Sequence, residues 1–478
     1  MIRLLRMRHT KVAIAAAAVV VLSGCASVNL EQSLSSANAT ANSFTDGQLT
    51  LARDQGERDG LRRRALDLLS KPLEQKDAVQ LALVNSPSMQ AMVAQSWADA
   101  SMAAQTGRIA NPILSLERMR LGDETEIGRL LSLGLLDLLM LPARKGIAEG
   151  RIKQAQLRLS SDVVDQVTQV RQTWVRAVAA QQTFSYTQQV FASAQASAEL
   201  AKRLQAVGNF NKLDRARQQA FYADTANQLA VAQHQSTAAR EELIRLLGLD
   251  DDQAVMLKLP ERLPILPKEP LSPQAAGRQA SQARLDLQIA KAEYDAAARA
   301  QGWNTVSTFT DIELGIRRDS VFDRADNSKQ TRRGFEISLE LPIFDWGGMR
   351  RDSMNAQTLA AANRLEATAR AAGSSVRESY SAYRTAYDVA RHYRDEVIPL
   401  RKTISEENQF RYNGMLISVF ELLADSRDQV NSVMAALNAE QQFWQANAAL
   451  QASLIGKPTS AGASGGNAGV ATESGAAH

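Results

Sequence analysis

The residues able to do chemistry are few and scattered. The chain of 478 residues holds one cysteine, Cys25, and four histidines, too few for a disulfide scaffold or a Cys-rich zinc or iron–sulfur site. His234 and His392 stand isolated on helical stretches and read as surface or interface residues rather than ligands. Met89 and Met92, at helical spacing, offer soft sulfur of the kind copper takes, but such pairs usually serve packing. Asp123, Glu124 and Glu126 read as a solvated loop cluster rather than a calcium site. Asp319, Asp323 and Asp326 fall in a longer predicted loop, 318–332. No Gly-rich phosphate loop, HExxH or GxSxG occurs. Nothing supplies a nucleophile, a base or a cofactor cradle, so the reading is not an enzyme, with no metal site.

Cys25 differs because of what precedes it. Arg3, Arg6, Arg8 and Lys11 come first, then an apolar run over 12–22, then small residues, the three parts of a secretion signal. The run is short of the ~20 residues that span a bilayer as a helix. It ends in Leu22-Ser23-Gly24-Cys25, which resembles the bacterial lipoprotein box. That resemblance implies cleavage after residue 24 and a covalent lipid, palmitate included, on Cys25 as the one prosthetic group. Ala26 stands where that family's inner-membrane retention signal would put Asp, which favours the outer membrane. The formal charge of +4 belongs to this leader; without its four basic residues, 51 acids face an equal number of bases. A neutral body gives no support to nucleic-acid binding.

The elements that would position any function come in duplicate. LLDLLMLPARK at 135–145 matches LPIFDWGGMRR at 341–351, Val170-Arg171 with Trp174 match Val376-Arg377 with Tyr380, and Gly208 matches Gly414, all at one displacement. The chain reads as a lipid-anchored segment at 25–76, a first repeat at 77–250, a Pro-rich linker at 251–272, a second repeat at 273–456 and a disordered Gly/Ala/Ser-rich tail at 457–478. The charge run 53–64 has no assignable chemistry. Each repeat runs helix, strand, strand, long helical hairpin. The predicted strands are about 113–121 and 127–136, then about 307–317 and 335–343. Phe335, Ile337 and Leu339 alternate with Glu336 and Ser338, so one face is apolar and the other polar; a soluble sheet would show the same pattern. Val163, Val167, Val170, Trp174 and Ala177 make a coiled-coil seam on a helix about 90 Å long. It reverses near Gly208-Asn209, as the second does near Asn413-Gly414, and Pro399 should kink the second helix.

Four strands cannot close a barrel, and open edges are not tolerated in lipid. Eight strands from two chains would be filled by side chains. Three chains supply twelve, enough to leave a pore. The fold class expected is mostly α with a membrane β-barrel: two structural repeats forming, in a homotrimer, a 12-stranded barrel continued by a long α-helical tunnel, which the resemblance described next places in the periplasm.

The LPIFDWGG run at 341–348, the two glycine-centred reversals and the two-repeat layout resemble the TolC-like outer-membrane efflux proteins, in their lipoprotein branch. The resemblance implies a trimeric exit duct in the outer membrane of a Gram-negative bacterium. It also implies a periplasmic adaptor and an inner-membrane transporter as partners, docking at tips that include Gly208, Asn209, Asn413 and Gly414. In that family acidic residues stand six and nine positions after the second glycine and ring the aperture. Here those positions hold Phe420 and Leu423, and in the first repeat Asp214 and Arg217. An apolar constriction at Phe420 and Leu423 is therefore expected in place of an acidic ring. The leading reading is a passive duct for small toxic solutes, drugs or metal ions. The others are the exit duct of a type I protein-secretion system and a pore-free lipid-anchored helical scaffold.

Overall fold

The alternating segments form one four-stranded antiparallel sheet in the order β1 to β4. Its strands are β1 (Ile113–Leu121), β2 (Glu124–Gly134), β3 (Ile312–Asp323) and β4 (Ser328–Leu339). Gly122, at φ 56°, makes the two-residue turn from β1 to β2, since glycine enters this region without a Cβ clash. The second hairpin departs from expectation. Its strands lie at 312–323 and 328–339 rather than 307–317 and 335–343, and the loop expected over 318–332 shrinks to four residues, 324–327. The Asp323 carboxylate accepts from the N–H of Ala325 at 2.8 Å, and Asn327 takes the positive φ that closes the turn. The charged stretch between is strand, because its side chains alternate onto two different surfaces. The β2–β3 pairing joins the two repeats in one sheet.

The structure is a computed structural model that describes residues 29–45, 47–281, 284–307, 312–339 and 343–458. The leader, Cys25 and the expected tail from 459 onward lie outside the described residues. The chain divides into two units. One comprises Met1–Ala39, Met92–Ser160 and Asp286–Ala369, and contains the whole sheet; the other comprises Thr40–Ala91, Ser161–Leu285 and Arg370–His478.

Before the sheet come α1 (Leu30–Thr45), α2 (Gln55–Leu69), α3 (Gln75–Asn85) and α4 (Pro87–Thr106). The charge run 53–64 lies largely on α2. Asp54 caps this helix by accepting from the Glu57 N–H, and Ala65 and Leu69 are its buried side; the charges are its solvated face. After β2 come α5 (Leu135–Leu139), α6 (Leu141–Ala206), α7 (Lys212–Leu247) and α8 (Asp251–Met256). At 66 residues, α6 is roughly 100 Å long. Its predicted seam is core: Val163, Val167, Val170, Trp174 and Ala177 are all buried. Then follow α9 (Pro273–Ser281), α10 (Leu285–Ser307) and, after the sheet, α11 (Gly348–His392), α12 (Ile398–Asn413) and α13 (Val419–Leu454). Among the described residues no helix is long and apolar enough to cross a membrane.

The kink expected at Pro399 takes the form of a π-helical turn, Tyr393–Val397, in which the Ile398 N–H donates to the Tyr393 carbonyl. Pro399 has no N–H for the Asp395 carbonyl and its ring crowds that oxygen, so a widened turn relieves the helix without breaking it.

The linker, whose prolines predict an extended and semi-rigid segment rather than a packed one, is packed. Residues 251–256 are helical, started by a capping box between Asp250 and Gln253. Beyond them Leu257, Leu263 and Leu266 are buried. Prolines leave a segment rich in unpaired carbonyls, and the helices supply donors to match. The Tyr387 hydroxyl is shared between the Pro267 and Lys268 carbonyls at 3.1 and 2.9 Å. Tyr380 donates to the Leu271 carbonyl and Tyr383 accepts from the Leu271 N–H, both at 3.1 Å. Trp444 donates to Pro264. Tyr383, Tyr387 and Phe443 form the buried cluster beneath this strap.

Candidate functional site

Register sorts the sheet's side chains with little ambiguity. On one face stand Leu114, Leu131, Ile316 and Phe335 in a single cross-strand row, with Leu133, Leu314 and Ile337 in the next. Leu116 and Leu339 share this face, and Leu114, Leu116, Leu131, Leu314, Ile316, Phe335, Ile337 and Leu339 are exposed. The other face carries Glu117, Glu124, Glu126, Glu313, Asp319, Asp323 and Glu336, with Arg317 and Arg332 as its cations. A contiguous exposed apolar face marks a surface that meets something other than water, and the opposite face is acidic.

Arg317 organises the acidic face. Its Nε lies 3.1 and 2.9 Å from the two Asp319 carboxylate oxygens, its Nη2 3.4 Å from Glu117 and its Nη1 3.8 Å from Glu336. Glycine makes the room: a Cβ on Gly128 would stand 3.3 Å from Asp319 Oδ1 and 3.6 Å from Arg317 Nη2. The network links β1, β3 and β4 through one guanidinium, whose fork geometry suits several carboxylates at once. Sequence reading missed it by taking Asp319 for a loop residue. The alternation of Arg317 and Asp319 with Arg318 was the available signal.

The two hairpin tips, both in the second unit, end in the same hydrogen-bonded turn. Asn209 N–H donates to the Leu204 carbonyl and Gly208 N–H to Gln205; Leu416 N–H donates to Arg411 and Met415 N–H to Tyr412. These are the paired bonds of a Schellman termination. The left-handed residue is Gly208 at φ 82° in the first tip and Met415 at φ 58° in the second. Gly414, at φ −79°, does not hold the left-handed position. The helix caps repeat the offset, with Asn211 accepting from the Asp214 N–H and Ser418 from the Glu421 N–H. The tips thus correspond one residue later than the glycines imply.

That offset changes which residues of the two tips correspond. By geometry the counterparts of Asp214 and Arg217 are Glu421 and Ala424, not Phe420 and Leu423. Glu421 and Ala424 are exposed, whereas Leu423 is half-buried. Leu423 lines a cavity of about 220 Å³ together with Tyr186, Val190, Phe221 and Arg427. The Phe420 side chain lies outside the described residues. Asp214 is buried, tied to Asn211 and 3.4 Å from Arg217, a carboxylate held at a helix N-terminus where the macrodipole favours it. Arg427 crosses between α13 and α7, stacking 4.4 Å over the Phe221 ring and reaching the Arg217 carbonyl at 3.5 Å. At the extremities Val207, Leu213, Phe410, Met415 and Leu416 are exposed apolar side chains.

The remaining candidates take ordinary places. Met89 is fully buried in the core. His234 is exposed, and His392 is exposed beside Glu396 at 3.2 Å. Of the expected loop cluster only Asp123 lies in the turn; Glu124 and Glu126 are in β2, which starts at 124 and ends at 134 rather than spanning 127–136, because pairing with β1 runs up to the two-residue turn. Among the described residues no group of three or more His, Cys, Asp or Glu is placed to hold a metal ion.

Residues 276–456 match the family model described as outer membrane efflux protein. No curated protein matches the chain. Solved structures share its fold. The outer-membrane channel OprN aligns with a TM-score of 0.68 at 16% identity, over 83% of this chain and 92% of that one. The outer membrane protein VceC of Vibrio cholerae gives 0.66 at 15%, over 84% and 96%. A membrane protein of Pseudomonas aeruginosa gives 0.65 at 19%, over 85% and 95%. The resemblance to TolC-like outer-membrane efflux proteins is thereby borne out, in the family match to the second repeat and in the fold of both. Together they support an outer-membrane efflux channel.

Proposed function

We propose that three copies of this chain form the outer-membrane exit duct of a tripartite efflux system. Each would be anchored by a lipid on Cys25 and would carry small toxic solutes passively, driven by an inner-membrane pump through a periplasmic adaptor. The observation that carries the reading is the sheet: an exposed apolar face, an acidic face behind it, and β1 and β4 as edges with no partner among the described residues. Lipid tolerates an apolar strand face but not open backbone. Three copies joined β4 to β1 give twelve strands, apolar outward and acidic inward. The exposed apolar tips are the surfaces offered to the adaptor. Glu421 and Ala424, rather than Phe420 and Leu423, would face the periplasmic aperture.

Purified protein in planar bilayers tests this. The expected result is discrete conductance with a preference for cations, weakened by Glu421→Gln and unchanged by Leu423→Met. Bilayers that stay silent across voltage would count against a duct and favour a lipid-anchored scaffold.

A further inference from the structure

On the apolar face, the row that follows Leu114, Leu131, Ile316 and Phe335 toward the hairpin turns is Leu116, Arg129, Arg318 and Arg333. Leu116 is paired with Arg129 and Arg318 with Arg333, and the same register sets Arg129 beside Arg318. Further along stand Arg118, Arg120 and Lys329. All six cations are exposed, and no acidic side chain shares their face in any of the four strands. None of them forms an ion pair among the described residues. The acidic face presents the opposite arrangement, where Arg317 alone is ringed by three carboxylates.

Like charges directly opposite on neighbouring strands destabilise a sheet. Three arginines abreast without a counter-charge therefore call for an external anion. Its position is set by what lies beneath: rows of Leu, Ile and Phe on the same face. An amphiphile with acyl chains on those rows and anionic oxygens at the height of the arginines satisfies both. Arginine's fork matches phosphate bidentately. Resting on the reading that this face meets lipid, we propose that Arg129, Arg318 and Arg333, with Arg118, Arg120 and Lys329 behind them, form a binding surface for the phosphate groups of an anionic membrane lipid.

The probe is bisphosphorylated lipid A, offered in phosphatidylcholine nanodiscs carrying the full-length protein, with bound lipid counted by native mass spectrometry. The wild type should retain lipid A at least tenfold better than the same lipid stripped of its phosphates, a comparison needing no variant. Arg129→Gln/Arg318→Gln/Arg333→Gln should lose that preference, whereas Arg332→Gln on the opposite face should keep it. Millimolar inorganic phosphate should not displace the lipid. Equal retention of the dephosphorylated lipid, or a triple variant within twofold of wild type, would overturn the proposal, as would displacement by inorganic phosphate. Insertion into phosphatidylcholine alone, followed by protease protection of the strands, is scored separately. Insertion without headgroup preference sinks this inference and leaves the duct standing. Failure to insert sinks both.

Discussion

Tyr387 holds two carbonyls of the Pro-rich strap through one hydroxyl, so Tyr387→Phe leaves both without that donor while keeping the ring. The expected cost is about 1 kcal/mol, read as a lower unfolding midpoint in detergent with helical content unchanged. Met415 shows the converse, a side chain where glycine would do better. At φ 58° it occupies a region costing a residue with a Cβ roughly 1 kcal/mol, so Met415→Gly should stabilise the second tip by about that much. Gly208→Ala should cost the first tip a similar amount, and both changes would register in hydrogen exchange at the tips. Glu440 adds a pH dependence. Burial pushes its carboxyl above the ordinary glutamate range, against the opposing pull of Arg394 and Arg262. The folded state therefore binds this proton more tightly than the unfolded chain, and stability falls as pH rises from the ordinary value through the raised one. Glu440→Gln should raise the melting temperature at neutral pH, with the gain vanishing below about pH 4.

At the scale of elements, what the sequence made legible was whatever obeyed one period. The α6 seam and the first hairpin could be read because Val163 to Ala177 keep helical spacing and Gly122-Asp123 marks a tight turn. The second hairpin could not, since Arg318, Asp319, Arg332 and Arg333 looked like a solvated loop. Their charges sit on two faces of continuous strands, one acidic and one beyond the apolar rows, so pairing overrode polarity. The strap was misread for another reason. Proline content predicts extension correctly, but nothing local announces that Tyr380, Tyr383, Tyr387 and Trp444 will meet its carbonyls from far along the chain. The displacement between the tips is one residue greater than the glycines suggested, because the left-handed position of the second tip belongs to Met415 rather than Gly414. Strand faces yield a direct prediction. Ile337→Arg should hinder membrane insertion by about 2–4 kcal/mol at mid-bilayer depth, whereas Ser338→Arg, one residue away and facing inward, should insert normally. Heat-modifiable mobility on gels would distinguish them.

For the whole molecule, the proposed lipid on Cys25 and the proposed barrel would be two separate attachments to the membrane. A pore-free scaffold would come free of the membrane with Cys25→Ser, whereas a barrel should hold that variant in the outer-membrane fraction against carbonate or high salt. The central claim is that the free edges β1 and β4 are closed by other copies of the chain. A photo-crosslinking residue at Glu117, on the β1 edge of the otherwise intact full-length protein in membranes, puts this to the test. A trimeric barrel gives a ladder that stops at three chains, with crosslinked peptides drawn from 328–339 of a neighbouring copy. Crosslinks confined to a single chain, or a ladder ending at two, would contradict it.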